Sequence, residues 1–195
     1  MERLVEKAAL AAIRHRHVAY YLDWAEEAGR HLHGPDQGSW LDQLERDHEN
    51  LRAALRWAIE GANSELALRF AASLAYFWYY RGHFREGRAL LTAVLALPAG
   101  PELAARRAEL LQRMAILALR QGDYPAARAA GDEALAIARQ GGDGTALASA
   151  LAMLGFVARV QDEYATARSA LEEGLTLARA AGATVHTAQI LHHLG

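Results

Sequence analysis

Nine histidines in a chain without cysteine make imidazole the first chemistry to test. Two ligands on one helix must stand three or four residues apart to face the same metal. His15 and His17 are two apart, as are His31 and His33, and His192 and His193 are adjacent, so no His–His pair meets that spacing. One Glu-x-x-His occurs, Glu45 to His48, but a di-metal centre in a bundle needs two such motifs and further carboxylates. No metal site is expected. Lys7 is the only lysine among 21 basic residues, and it lies outside any G-x-x-x-x-G-K-[ST] context, which excludes a P-loop. A lysine Schiff base would have to rest on that same residue. The glycine-rich "QGGDGTA" at 140–146 precedes a helix and could cradle an anion, but it is matched by "RAAGATV" one unit later and reads as a turn between repeats. No serine sits in G-x-S-x-G, and no thiol nucleophile exists. The expectation is a non-enzymatic protein with no cofactor.

The elements that would carry these residues are helices. Alanine and leucine abound, there are four prolines, and no stretch alternates with period two long enough for a strand. A 52% apolar share beside 23% charged residues describes a folded chain. With a net charge of −2 it lacks the basic excess of a nucleic-acid-binding domain, so no direct nucleic-acid contact is expected. The longest nearly apolar run, "ALASALAMLGFVA" from Ala146, is too short to span a bilayer, and the N-terminus has no signal-peptide pattern. Together with the absent cysteines this points to a cytoplasmic protein.

A period of forty residues organises the chain from about residue 64. Phe84, Tyr124 and Tyr164 keep this step, as do Arg88, Arg128 and Arg168. Leu74, Met114, Leu154 and Leu194 form a third column, and Ala75, Ala115, Gly155 and Gly195 a column of small residues. Within one unit Leu111, Met114, Ala115 and Ala118 mark one helix face; Ala127, Ala134, Leu135 and Ala138 mark the next. Gly122-Asp123 supplies the turn and the cap between them. Each unit is a helix pair that can bury its apolar stripe only by stacking on neighbours, as in a solenoid. Arg128–Asp132 and Arg168–Glu172 are expected i, i+4 pairs.

The first third escapes this step. Residues 2–31 read as helix with a possible break near His15–His17, and "HGPDQGS" at 33–39 reads as a linker. Ser39 is expected to cap one helix from Trp40 to Glu60, with Asp42 at the capping-box position, Gly61 as the stop, and an Asp42–Arg46 pair on its surface. Ser64 should start the next helix. Residues 1–63 are thus read as an N-terminal helical region and 64–195 as about three helix pairs plus the first helix of a fourth.

The motifs "LAMLG", "LHHLG" and "QGDYPAA" resemble the tetratricopeptide pattern over residues 68–195. The step is forty residues rather than thirty-four, the closing proline is missing, and Gly131 stands where a bulky apolar residue is usual. Such forty-residue variants are similar to those of large bacterial transcriptional activators. The segment from "RHRHVAYYLDW" to "LRAALRWAIE" resembles the helical region between an NB-ARC-like ATPase and the repeat array in LuxR-like and antibiotic-regulatory proteins. Its core is carried here by Asp47, Asn50, Leu51, Arg52, Ala53, Ala54 and Leu55.

These resemblances imply a right-handed α-solenoid of tetratricopeptide-like helix pairs, serving as the sensor arm of a signal-responsive regulator. They imply that a protein segment or small inducer occupies the concave groove, and that an ATPase module of the same full-length protein is a possible further partner. Since "LHHLG" opens a fourth repeat and stops, the chain is expected to be a fragment; a free-standing adaptor binding a protein partner is the alternative. The same resemblance puts Leu74 and Trp78 in the core. It puts Tyr76, Tyr79 and Tyr80 on the groove, then Glu109, Gln112, Ile116 and Arg120, then Phe156, Arg159 and Val160. The competing arrangement is that the three tyrosines pack on the N-terminal helices.

Overall fold

The computed structural model describes residues 2–195, with side chains from Ile13 onward, so the Lys7 side chain lies outside the described residues. Among the described residues every regular element is helical. Two compact units divide the chain at residues 98 and 99.

The first unit holds α1 (Glu2–His31), α2 (Gln37–Arg46), α3 (His48–Glu60), α4 (Ser64–Arg81) and α5 (Phe84–Leu95). α1 is continuous through His15–His17 and shows no break there. Val18, Leu22, Ala25, Ala28 and Leu32 keep helical spacing and are buried, and α1 packs on α3 and α4. Leu51, Leu55 and Ala58 of α3 and Phe70, Leu74, Phe77 and Trp78 of α4 complete the apolar interior. Arg69 on α4 binds Glu26 on α1 with two parallel hydrogen bonds, Nε to Oε1 at 2.8 Å and Nη2 to Oε2 at 3.0 Å.

The expected single helix from Trp40 to Glu60 is two helices broken at Asp47. The Asp47 backbone leaves helical values at φ −96° and ψ 7°. Its carboxylate accepts from the Trp24 indole Nε1 at 3.2 Å and from Asn50 Nδ2 at 3.5 Å. A contact reaching back to α1 thus competes with helix continuation. Gly38 and Ser39 fall inside α2 rather than in a linker or at a cap. Asp42 pairs with Arg81 of α4 and not with Arg46. Gly61 does end α3, while the cap of α4 is Asn63, whose side chain accepts from Leu66 N at 3.1 Å.

The second unit holds a short 3-10 turn (Pro101–Leu103), α6 (Ala104–Arg120), α7 (Tyr124–Gly141), α8 (Gly144–Val160), α9 (Tyr164–Ala180) and α10 (Thr184–Leu194). Consecutive helices pack antiparallel pairwise, and α8 also touches α6 and α10, which is tetratricopeptide-like stacking. Helices start at Ser64, Phe84, Ala104, Tyr124, Gly144, Tyr164 and Thr184, one every twenty residues. Residues with positive φ keep the same step: Ala62, Gly82, Gly122, Gly142, Asp162 and Gly182. The left-handed conformation turns the chain back after α3, α4, α6, α7, α8 and α9 and suits glycine. After α5 the "PAGPE" loop replaces it with an extended Gly100 and a proline-led 3-10 turn.

Gly131 and Gly155 show why small residues recur inside the helices. A Cβ on Gly155 would lie 2.6 Å from Leu171 Cγ; one on Gly131 would lie 2.6 Å from Leu154 Cδ2. The space a bulky residue would fill at 131 is taken by Leu154 from the next helix. Arg168 makes its expected pair with Glu172, Nε to Oε1 at 3.0 Å. Arg128 does not pair with Asp132; it turns to Gln161 and Glu163 at the start of α9, where two acceptors replace one. Leu194 packs on the Ala148, Leu171, Ala178 and Ile190 cluster, whereas Leu191 stays 45% exposed.

Candidate functional site

Each unit presents a polar–aromatic surface assembled from first helices of the repeats. In the first unit Leu74 and Trp78 are buried, as the resemblance implied. Of the three tyrosines, Tyr80 is 41% exposed and Tyr76 and Tyr79 are half-buried. Tyr76 stacks on Tyr80 with centroids 6.1 Å apart, and Tyr79 meets Tyr80 edge-on at 5.1 Å. The His33 ring, just past α1, stands edge-on to Tyr76 at 4.3 Å. One tyrosine therefore touches the N-terminal region while another faces outward.

In the second unit the corresponding face runs along α6, α8 and α10. Gln112 is half-buried and accepts a hydrogen bond from Ser149 Oγ of α8 at 2.7 Å. Ile116 is half-buried, and Glu109 and Arg120 are exposed. Phe156 lies between Arg159, whose Cζ is 5.5 Å from the ring centroid, and His193 of α10, stacked at 4.9 Å. Arg159 and Val160 are exposed. Burial, with help from the Arg159 guanidinium, lowers the pKa of His193 below its ordinary value. Nothing in the local spacing singles out Ser149 or His193; they join the face because α8 and α10 stack beside α6. A cation over an aromatic ring, an amide held by Ser149 and an exposed Val160 together suit a peptide or a small ligand with mixed polarity.

A second constellation has a different chemistry. Glu45 at the end of α2, His48 at the start of α3 and His83 before α5 each place one ligand atom within 4.8 Å of the other two. His83 Nε2 is 3.1 and 3.2 Å from the two Glu45 carboxylate oxygens. His48 Nε2 is 2.9 Å from Glu86 Oε1. The imidazoles lie 4.5 Å apart and both contact the Phe77 ring, at 5.2 and 5.3 Å. The break at Asp47 puts Glu45 and His48 on different helices, so their spacing of three is not the helical spacing it resembles. The missing partner, His83, lies 35 residues further along, beyond the reach of any pattern within one helix. An open cavity of 530 Å³ adjoins His83 and Glu86 and is lined as well by Arg52, Arg56 and Arg85.

Comparison with known proteins bears on the repeats. Residues 106–180 match the family model of the tetratricopeptide repeat. Two mycobacterial proteins, each named "Putative HTH-type transcriptional regulator", are 32% identical to this chain over 152 residues. One is from Mycobacterium bovis (strain ATCC BAA-935 / AF2122/97), the other from Mycobacterium tuberculosis (strain ATCC 25618 / H37Rv). The match covers 74% of this chain and spans only 17% of theirs. Among solved structures, that of BtubC (BKLC) from P. vanneervenii superposes with a TM-score of 0.56 at 17% identity, covering 93% of this chain and 84% of that one. At that identity the likeness is one of fold. Residues 106–180 thus match the tetratricopeptide repeat, and the described residues form an all-α architecture of stacked helix pairs.

Proposed function

We propose that this chain is the sensor and scaffold arm of a signal-responsive bacterial transcriptional regulator. In this reading the repeat array runs from residue 64, and residues 1–63 are the helical region that connects it to an ATPase module of the same full-length protein. The array is non-catalytic and cytoplasmic. A protein segment or small inducer is held against Tyr76, Tyr79 and Tyr80 in the first unit, or against Gln112, Ile116, Arg120, Phe156 and Arg159 in the second. The observation that carries the reading is the 32% identity over 152 residues to one stretch of regulators far longer than this chain. The exposed Tyr80 and the Arg159–Phe156 pair support the choice of surface, since aromatics and arginine dominate the binding energy of protein surfaces.

The reading is tested by placing this chain in the matching segment of the mycobacterial relative and driving a transcriptional reporter. Tyr76→Ala with Tyr80→Ala, and separately Arg159→Ala, should reduce the induced response at least tenfold, with helicity and urea stability unchanged. An unaltered response refutes the surface. Loss of stability shows that the tyrosines are packing residues. A chimera that never responds, while the isolated chain still binds peptides in a sequence-selective manner, supports the adaptor instead.

A further inference from the structure

We propose that Glu45, His48 and His83 form a binding site for a divalent transition-metal ion of the zinc class, with Glu86 steering the His48 ring. The donor set is two imidazole nitrogens and a carboxylate oxygen, which suits zinc and its neighbours rather than magnesium or calcium. It is assembled from three different places in the first unit: the last turn of α2, the first residue of α3 and the residue preceding α5. Three donors no more than 4.8 Å apart leave a central point about 2.8 Å from each at the widest, against about 2.0–2.2 Å in a bound zinc site. Movements of about 0.6–0.8 Å at each donor close that gap.

The surroundings are organised for it. The His48 and Glu86 side chains are only 15% and 25% exposed, and both imidazoles rest on the fully buried Phe77 ring, which restricts their orientations. Glu86 on His48 Nε2 is the arrangement in which a carboxylate orients a metal-binding imidazole. Glu45 and Glu86 together carry the charge that balances a divalent ion. Arg52, Arg56 and Arg85 line the neighbouring cavity and oppose a cation, although Arg52 is itself paired with Glu49. The Glu45–His83 hydrogen bond at 3.1 Å already holds two of the three donors side by side.

The experiment uses the whole chain, treated with chelator and then titrated with zinc sulfate by calorimetry, with cobalt(II) as the spectroscopic probe. One equivalent should bind, raise the thermal midpoint, and give the intense visible bands of low-coordinate cobalt. His83→Ala and Glu45→Gln should abolish binding of that equivalent. Glu86→Gln should weaken it roughly 10–100-fold, the usual cost of losing an orienting carboxylate. The variant His186→Ala, on α10, should bind as the parent does. Far-UV circular dichroism of each variant establishes that it is folded. Absence of a one-equivalent isotherm in the parent overturns the proposal; so does undiminished binding in folded His83→Ala, or loss of binding in the His186 variant.

Discussion

Adding one methyl group at Gly155 tests whether close helix approach, rather than helix propensity, sets the small-residue column. Gly155 is on α8, and a Cβ there would lie 2.6 Å from Leu171 Cγ, 2.8 Å from Leu171 Cδ2 and 3.2 Å from the Ala167 carbonyl oxygen of α9. Comfortable carbon–carbon contact is about 3.5–4.0 Å, so the new atom intrudes by about 1 Å. Cγ is the branch point of a side chain only 1% exposed, so Leu171 cannot swing aside and α9 must move. Overpacking of this kind costs about 1–3 kcal/mol. Helix propensity acts the other way and favours alanine by about 1 kcal/mol. Gly155→Ala should therefore destabilise by about 1 kcal/mol.

Two further glycines give the scale. A Cβ at Gly141 meets nothing within 4 Å, and at Gly131 it meets chiefly the terminal Cδ2 of Leu154, at 2.6 Å. Gly141→Ala should stabilise by a few tenths of a kcal/mol up to about 1, being near a helix end, and Gly131→Ala should be close to neutral. Urea unfolding followed by far-UV circular dichroism reads the order directly. Leu171→Ala alone should cost about 2–5 kcal/mol, and the double variant with Gly155→Ala should cost less than the sum, because the added methyl enters the vacated space. If Gly155→Ala stabilises as much as Gly141→Ala, the steric reasoning is wrong.

Three further outcomes are expected. Asp162 adopts φ 61° in a column otherwise held largely by glycine, so Asp162→Gly should stabilise by about 0.5 kcal/mol in urea melts, even though it loses the Tyr164 hydroxyl hydrogen bond. His193 has a lowered pKa in the folded chain, so the unfolded chain binds more protons as pH falls past the ordinary value of 6.5; stability should therefore fall with acidification through that region, and His193→Gln should flatten the profile of thermal midpoint against pH. The Arg69–Glu26 fork is partly exposed, so Arg69→Lys should cost only about 0.5 kcal/mol, and a double-mutant cycle with Glu26→Gln should give a coupling of the same order.

Legibility in the sequence followed distance along the chain. Buried Ala127, Ala134, Leu135 and Ala138 were expected from spacing alone, because a helix face is decided within a few turns. The Gly122-Asp123 turn was equally local: Gly122 takes φ 71° and Asp123 caps α7 through Ala126 N. Arg168 keeps its i, i+4 partner for the same reason. Arg128 has the same local pattern but prefers Gln161 and Glu163, which reach it only once α8 has packed back along α7. On the two candidate surfaces, Leu74 and Trp78 were placed correctly through the repeat register, whereas Ser149 and His193 entered from neighbouring helices.

The break at Asp47 marks the same boundary in the first third. Its local sequence reads as one helix, and the Trp24 indole that holds its carboxylate comes from 23 residues earlier. That break lets Glu45 and His48 meet His83 and Glu86, a grouping no spacing within a helix describes. By itself the sequence determined the helical class, the forty-residue step, the Gly122-Asp123 turn and the inward faces of the repeats, since within each unit these depend on backbone preference and apolar period over short separations. Tertiary structure alone decided where α2 yields to α3, which acceptors the arginines choose and which imidazoles share a carboxylate, because those contacts exist only once distant helices have packed.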